Sequence, residues 1–204
     1  MLIDNKQTKY KHNIRKLDIN CFILHNTGSV NADKVDKYYI ENSEGVCPHF
    51  LILRSGRINQ YVDLDKTAYH VGFSDTQKKL YSKGKNVWPL FWNDTTLPCP
   101  YVGYDQWFTR WPQFQSPLDL PSSDRPNSHS IGIELLSEDG NCTDEQYKAL
   151  QELILKTSED IQLDVNSNNV YGHYDANPIA RVNKYGSTDP GKGFDWDRVY
   201  KSLT

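Results

Sequence analysis

The run Cys21-Phe-Ile-Leu-His25 is short, apolar and bounded by polar residues, the pattern of a buried strand, and Asn26-Thr-Gly-Ser turns the chain after it. Over residues 33–41, Val35, Tyr38 and Tyr39 share one side at helical spacing. Residues 48–54 predict a second strand, and Ser55-Gly56 a hairpin turn into a third over 57–62. A further strand, Ser130-Ile-Gly-Ile-Glu134-Leu-Leu, carries a glutamate in its middle. The strongest helix signal lies over 143–160. Thr143-x-x-Gln146 forms a capping box there, and Tyr147, Leu150, Leu153, Ile154 and Ile161 recur at helical spacing. Residues 169–172 make a last short strand leading into His173, and Trp196, Val199, Tyr200 and Leu203 share a face of a closing helix. Strands and helices mixed on one core predict a single α/β (α+β) sheet domain.

Two stretches fall outside this pattern. Residues 1–20 are polar and weakly periodic, and read as an N-terminal arm ahead of a domain over 21–204. Residues 73–127 show no sustained period, yet hold Trp88, Phe91, Trp92, Tyr101, Tyr104, Trp107, Phe108, Trp111 and Phe114. So many aromatic rings are costly to leave in water, so an ordered insertion packed on the domain is expected, with short helical turns around 106–111.

At 204 residues the chain is long enough for one substantial core. A net charge of -3 and dispersed basic residues give no reason to expect nucleic acid or an anionic membrane as partner. The four cysteines, Cys21, Cys47, Cys99 and Cys142, lie far apart, which argues against a cysteine-cluster metal site. They allow three disulfide connectivities, and Cys21 reads better as a small buried hydrophobe. The first residues form no apolar signal core and no run approaches membrane-spanning length. A soluble chain, cytoplasmic as synthesised, is expected, with later delivery to the cell envelope left open.

Two histidines and an aspartate at loop mouths, His25, His173 and Asp189, suit a three-ligand zinc site with one position left for water. Each has a plainer reading; His25, for instance, could be a strand-end ring bonded to a carbonyl. Glu134 sits in an apolar run and is expensive to bury unless paired. It is either an edge-strand residue facing solvent or a general base beside the metal.

Six strings occur in order: Phe22-Ile-Leu-His25-Asn-Thr, Pro48-His-Phe-Leu-Ile, Ala68-Tyr-His70-Val-Gly, Ser130-Ile-Gly-Ile-Glu134-Leu, Gly172-His173 and Thr188-Asp-Pro-Gly191. Together they resemble the zinc-dependent N-acetylmuramoyl-L-alanine amidases of the AmpD type, which share a fold with the peptidoglycan recognition proteins. The resemblance implies a central mixed β-sheet flanked by helices, interrupted by the aromatic insertion. It implies Zn2+ held by His25, His173 and Asp189, with Glu134 as catalytic acid and base. The implied reaction is hydrolysis of the amide between N-acetylmuramic acid and L-alanine in peptidoglycan or muropeptides. His70, Asn26 and Ser187 become substrate-contact candidates, and His49 is expected to orient neighbouring structure.

One departure matters. Where many such enzymes carry a lysine two residues before the zinc aspartate, this chain has Ser187. Arg181 or Lys184 could replace that cation, with Lys184 preferred. A peptidoglycan-binding module without catalysis and a zinc peptidase cutting within the stem peptide remain the alternatives. A muropeptide-recycling enzyme, a phage lysin and a secreted toxin with an immunity partner are equally open, as is the oligomeric state.

Overall fold

The computed structural model describes residues 2–71, 126–176 and 189–203. In chain order these form β1 (Ile3–Asn5), β2 (Cys21–Asn26), α1 (Ala32–Glu41), β3 (Phe50–Ile52), β4 (Ile58–Gln60), α2 (Pro126–His129), β5 (Ser130–Leu135), α3 (Asp144–Ile161), β6 (Val170–Gly172), α4 (His173–Ala176) and α5 (Trp196–Tyr200). The strands build one sheet in the order β1-β4-β3-β5-β2-β6. Its centre is parallel, β2 lying between β5 and β6, while β3 and β4 form the antiparallel hairpin that Ser55-Gly56 predicts. The mixed sheet with flanking helices agrees with the expected fold class.

Strand alternation divides the sheet into two faces. Phe22 and Leu24 of β2, Phe50 and Ile52 of β3, and Ile131, Ile133 and Leu135 of β5 point to one side. There they pack on Tyr147, Leu150, Leu153 and Ile154 of α3 and on Val199 of α5. α3 begins with the expected capping box: Gln146 N–H donates to Thr143 Oγ1 and Thr143 N–H to Gln146 Oε1, both at 3.1 Å. Gln146 is fully buried, and its Nε2 donates to the carbonyls of Ile52 and Leu136. The side chain that starts the helix therefore also fastens it to the ends of β3 and β5.

The opposite face carries a second core, in which Leu51 meets Val35 and Tyr39 of α1 together with Cys47, Tyr61, Val62 and Ala68. Ser130 and Glu134 of β5 project to this face on either side of Gly132, and so does His25 of β2. Cys21, Cys47 and Cys142 are free thiols, and burial pushes Cys21 up to about 12. Among the described residues no helix is long and apolar enough to cross a membrane.

Residues 2–20, within the stretch read from sequence as an arm, lie against the sheet and the loop after β4. β1 adds a parallel strand to β4 with Ile3 opposite Ile58. Further on, the Arg15 guanidinium donates to the carbonyls of Leu64, Lys66, Asn127, Ser128 and Ser130, at 2.9 to 3.3 Å. It thereby ties the arm to the loop after β4 and to the entrance of β5. The aromatic insertion lies outside the described residues, apart from its last two, Pro126 and Asn127, which open α2.

Candidate metal centre and active site

Three side chains that are far apart in sequence converge at the C-terminal ends of the central parallel strands. His25 is the penultimate residue of β2, and His173 directly follows β6, the neighbouring strand. Asp189 arrives from the loop before α5. One donor atom from each lies within 4.8 Å of the others, and all three residues are buried. His25 Nδ1 stands 2.8 Å from His173 Nδ1, and Asp189 Oδ2 lies 3.8 and 3.4 Å from those two nitrogens.

Local sequence explains the close approach. A Cβ on Gly172 would come within 2.3 Å of the Asp189 carbonyl oxygen, so only glycine lets the aspartate loop lie against the end of β6. Asp189 is then held by the Asn26 backbone N–H, which donates to Oδ1 at 2.9 Å. That leaves Oδ2 toward the histidines. Two imidazole nitrogens and one carboxylate oxygen, all buried, fit a zinc ion with an open fourth position.

Glu134 is not on an edge. β5 lies between β3 and β2, with Glu134 in register opposite His25 on one side and Leu51 on the other. Its carboxylate hydrogen-bonds the phenol of Tyr39, and burial first, then the Glu134 charge, pushes that phenol well above its ordinary value. Tyr39 is thus a donor to Glu134 across the accessible pH range. Cys47 lies beside the same carboxylate, and burial raises its thiol too.

These groups border a cleft of about 370 Å³. Asn26, Tyr39, His70, Glu134 and Asp189 line it, with half-exposed Tyr38 also on its wall. Asn26 reaches the cleft, but its side chain is engaged locally, Oδ1 accepting the Gly28 N–H at 2.9 Å. His70 is 7 % exposed, and its Nδ1 and Nε2 face His25 Nε2 and Ser130 Oγ. Lys184, Arg181 and Ser187 lie outside the described residues.

His49 is fully buried and has the structural role expected of it. Nδ1 accepts the Gly132 N–H at 3.0 Å, which leaves Nε2 to donate to the Lys66 carbonyl at 3.2 Å. Burial, reinforced by the nearby Arg15 guanidinium, pushes its pKa down to about 3. His49 is therefore neutral in the folded protein, whereas in the unfolded chain it takes a proton near pH 6.5. Its contribution to stability is complete above that pH and is lost as pH falls toward 3, at about 1.4 kcal/mol per pH unit. The urea midpoint of the chelator-treated protein is expected to be lower at pH 5 than at pH 7.5. Equal midpoints would mean that the ring protonates inside the fold without cost.

Sequence patterns missed Tyr39, Ser130 and Gly132 as parts of the site. The signal for two of them was present, since Ser130-x-Gly132-x-Glu134 places all three on one face of a strand.

Comparison with known proteins shows the family. The sequence pattern of the N-acetylmuramoyl-L-alanine amidase family matches residues 15–192, and the chain belongs to that family. The 1,6-anhydro-N-acetylmuramyl-L-alanine amidase AmpD of Haemophilus influenzae is 29% identical over 175 residues, covering 83% of this chain and 66% of the relative. AmpD of Escherichia coli is 30% identical over 154 residues, covering 75% and 56%. The chain thus spans somewhat under two thirds of the length of these curated relatives. In fold it superposes on a crystal structure of AmpD with a TM-score of 0.64 at 22% identity, covering 99% of this chain and 94% of that one. The amidase LysC of Clostridium intestinale gives 0.54 at 14% identity, covering 100% and 97%.

Proposed function

We propose that the chain hydrolyses the amide between N-acetylmuramic acid and L-alanine in peptidoglycan or its muropeptide fragments. In this reading zinc is held by His25, His173 and Asp189, and Glu134 is the general acid and base. The observation that carries it is a carboxylate near the C-terminal end of a central strand, in register with His25 and lining the same cleft as Asp189. A binding module has no use for that juxtaposition; a hydrolase does.

A bound zinc ion supplies Lewis acidity toward the scissile carbonyl and the attacking water. Glu134 accepts the proton that water loses, then delivers it to the departing amine of L-alanine. Tyr39 holds the carboxylate by a hydrogen bond while the proton moves. Asp189 is steadied by the Asn26 N–H, so its orientation does not depend on the substrate. Lys184 is assigned the charge that develops on the carbonyl oxygen, the task of the lysine that Ser187 replaces.

The test is mass spectrometry of muropeptides after incubation with the protein, with and without a zinc chelator. Both intact-wall fragments and 1,6-anhydro forms belong in it, because the AmpD relatives are named for the latter. The expected result is chelator-sensitive release of a stem peptide beginning at L-alanine. Cleavage within the stem would make the protein a peptidase, and no cleavage by folded, zinc-loaded protein would make it a binding module.

A further inference from the structure

We propose that His70 is a positioning residue for the metal centre: seated on Gly132 and anchored through Ser130, it holds the His25 ring with Nδ1 toward His173 and Asp189. The inference rests on the reading of His25, His173 and Asp189 as metal ligands.

The hydrogen bonds form a relay with a single polarity. Ser130 Oγ donates its only proton to the Pro126 carbonyl at 2.6 Å, so toward His70 it acts as acceptor. His70 Nε2, 3.2 Å away, supplies that proton. With Nε2 protonated, the neutral ring offers a lone pair at Nδ1, which faces His25 Nε2 at 3.0 Å. His25 therefore carries its proton on Nε2, and Nδ1 becomes the ligating nitrogen, 2.8 Å from His173 Nδ1. The relay ends on a backbone carbonyl of α2, which cannot reverse its direction.

The seat of the ring is steric. A Cβ built on Gly132 would lie 2.3 Å from His70 Cγ and 2.6 Å from its Nδ1, so the imidazole occupies the space that glycine leaves on β5. The backbone is clamped as well: Asn127 Oδ1 accepts the N–H groups of His70 and Val71, at 3.3 and 2.8 Å, and its Nδ2 donates to the Val71 carbonyl at 3.2 Å. Finally, the His70 and His25 rings meet edge to face, with centroids 5.1 Å apart. Strand, helix and loop thus all fix a ring whose two nitrogens are spent within the protein. Metal-ligand histidines are commonly oriented by such an outer partner, most often a carboxylate or carbonyl. Here the partner is a second imidazole.

The test titrates zinc into the metal-stripped protein in competition with a chromophoric chelator. His70→Phe keeps an aromatic ring on Gly132 and removes the acceptor; zinc affinity is expected to fall about 10–100-fold. Ser130→Ala, which cuts only the far link, is expected to show a smaller fall in the same direction. His70→Gln, whose amide oxygen can accept from His25 Nε2, should recover part of the loss. Nitrogen-15 imidazole spectra of the zinc-loaded wild type should show His25 protonated at Nε2. Unchanged affinity in both His70→Phe and Ser130→Ala, or a His25 protonated at Nδ1, would overturn the proposal. If His70→Phe does not fold, Ser130→Ala and the spectrum decide it. A wild type that takes up no zinc would instead sink the metal reading itself, which is a separate outcome.

Discussion

Glu134→Gln is expected to lower amide hydrolysis about 10²–10⁴-fold while zinc affinity stays at the wild-type level. The glutamine amide has the shape of the carboxylate and still accepts a hydrogen bond from the Tyr39 phenol, so packing along β5 is preserved. What it loses is basicity, since it cannot take a proton from water. In the proposed reading the metal donors are His25, His173 and Asp189, and Glu134 is not one of them. Binding and turnover should therefore separate cleanly in this variant. The check pairs a zinc titration with turnover of a muropeptide at saturating zinc. Full turnover would remove Glu134 from the chemistry, and parallel loss of zinc would recast it as part of the metal centre.

The second large effect is expected far from the cleft. Arg15→Met should destabilise the fold by about 3 kcal/mol or more, because hydrogen bonds from a charged donor contribute about 1.5–3 kcal/mol each and five carbonyls share this guanidinium. Methionine replaces the aliphatic stem but leaves those oxygens without their donor. Burial already pushes the Arg15 pKa down to about 10, so this cation has been taken from water and depends on its acceptors in the fold. With an m-value of about 1–3 kcal/mol per molar urea, the unfolding midpoint should drop by about 1 M or more. A midpoint within error of wild type would show that the clamp contributes nothing net. Because three of the five carbonyls belong to residues 127, 128 and 130, the same variant should loosen the entrance of the strand that carries Glu134.

Much of this architecture was legible in the sequence because it depends on local periodicity. The apolar run ending at His25, the hairpin at Ser55-Gly56, the capping box at Thr143 and the helix behind it all follow from spacing and turn chemistry. So does Gly172-His173 as a strand passing into the site. His25, His173 and Asp189 were also read together from the sequence, and the structure brings the three side chains together. What was not legible depends on partners distant in sequence. β1 is three residues with no strand pattern, and it exists because β4 offers an unpaired edge. Arg15 looked like one dispersed basic residue, since nothing nearby announces that its five acceptors lie some 50 and 110 residues further along the chain. His70 was expected to face substrate because its string suggested a cleft. Which way its two nitrogens point is decided by Ser130 and His25, on other strands. Glu134 looked equally compatible with an edge, and only the strand order places it in the centre.

The placement of the donor set also sets a clock. β2 is synthesised well before its neighbour β6 and the aspartate of the proposed centre, which both follow it along the chain. A nascent chain can form the β3–β4 hairpin and α3, and seat His70 against Gly132, while still lacking two of the three donors. Hydrolytic competence would therefore arrive late and all at once, when residue 189 swings over the end of β6. A chain cut just before residue 189 would retain all six strands of the sheet and have no carboxylate to close the centre.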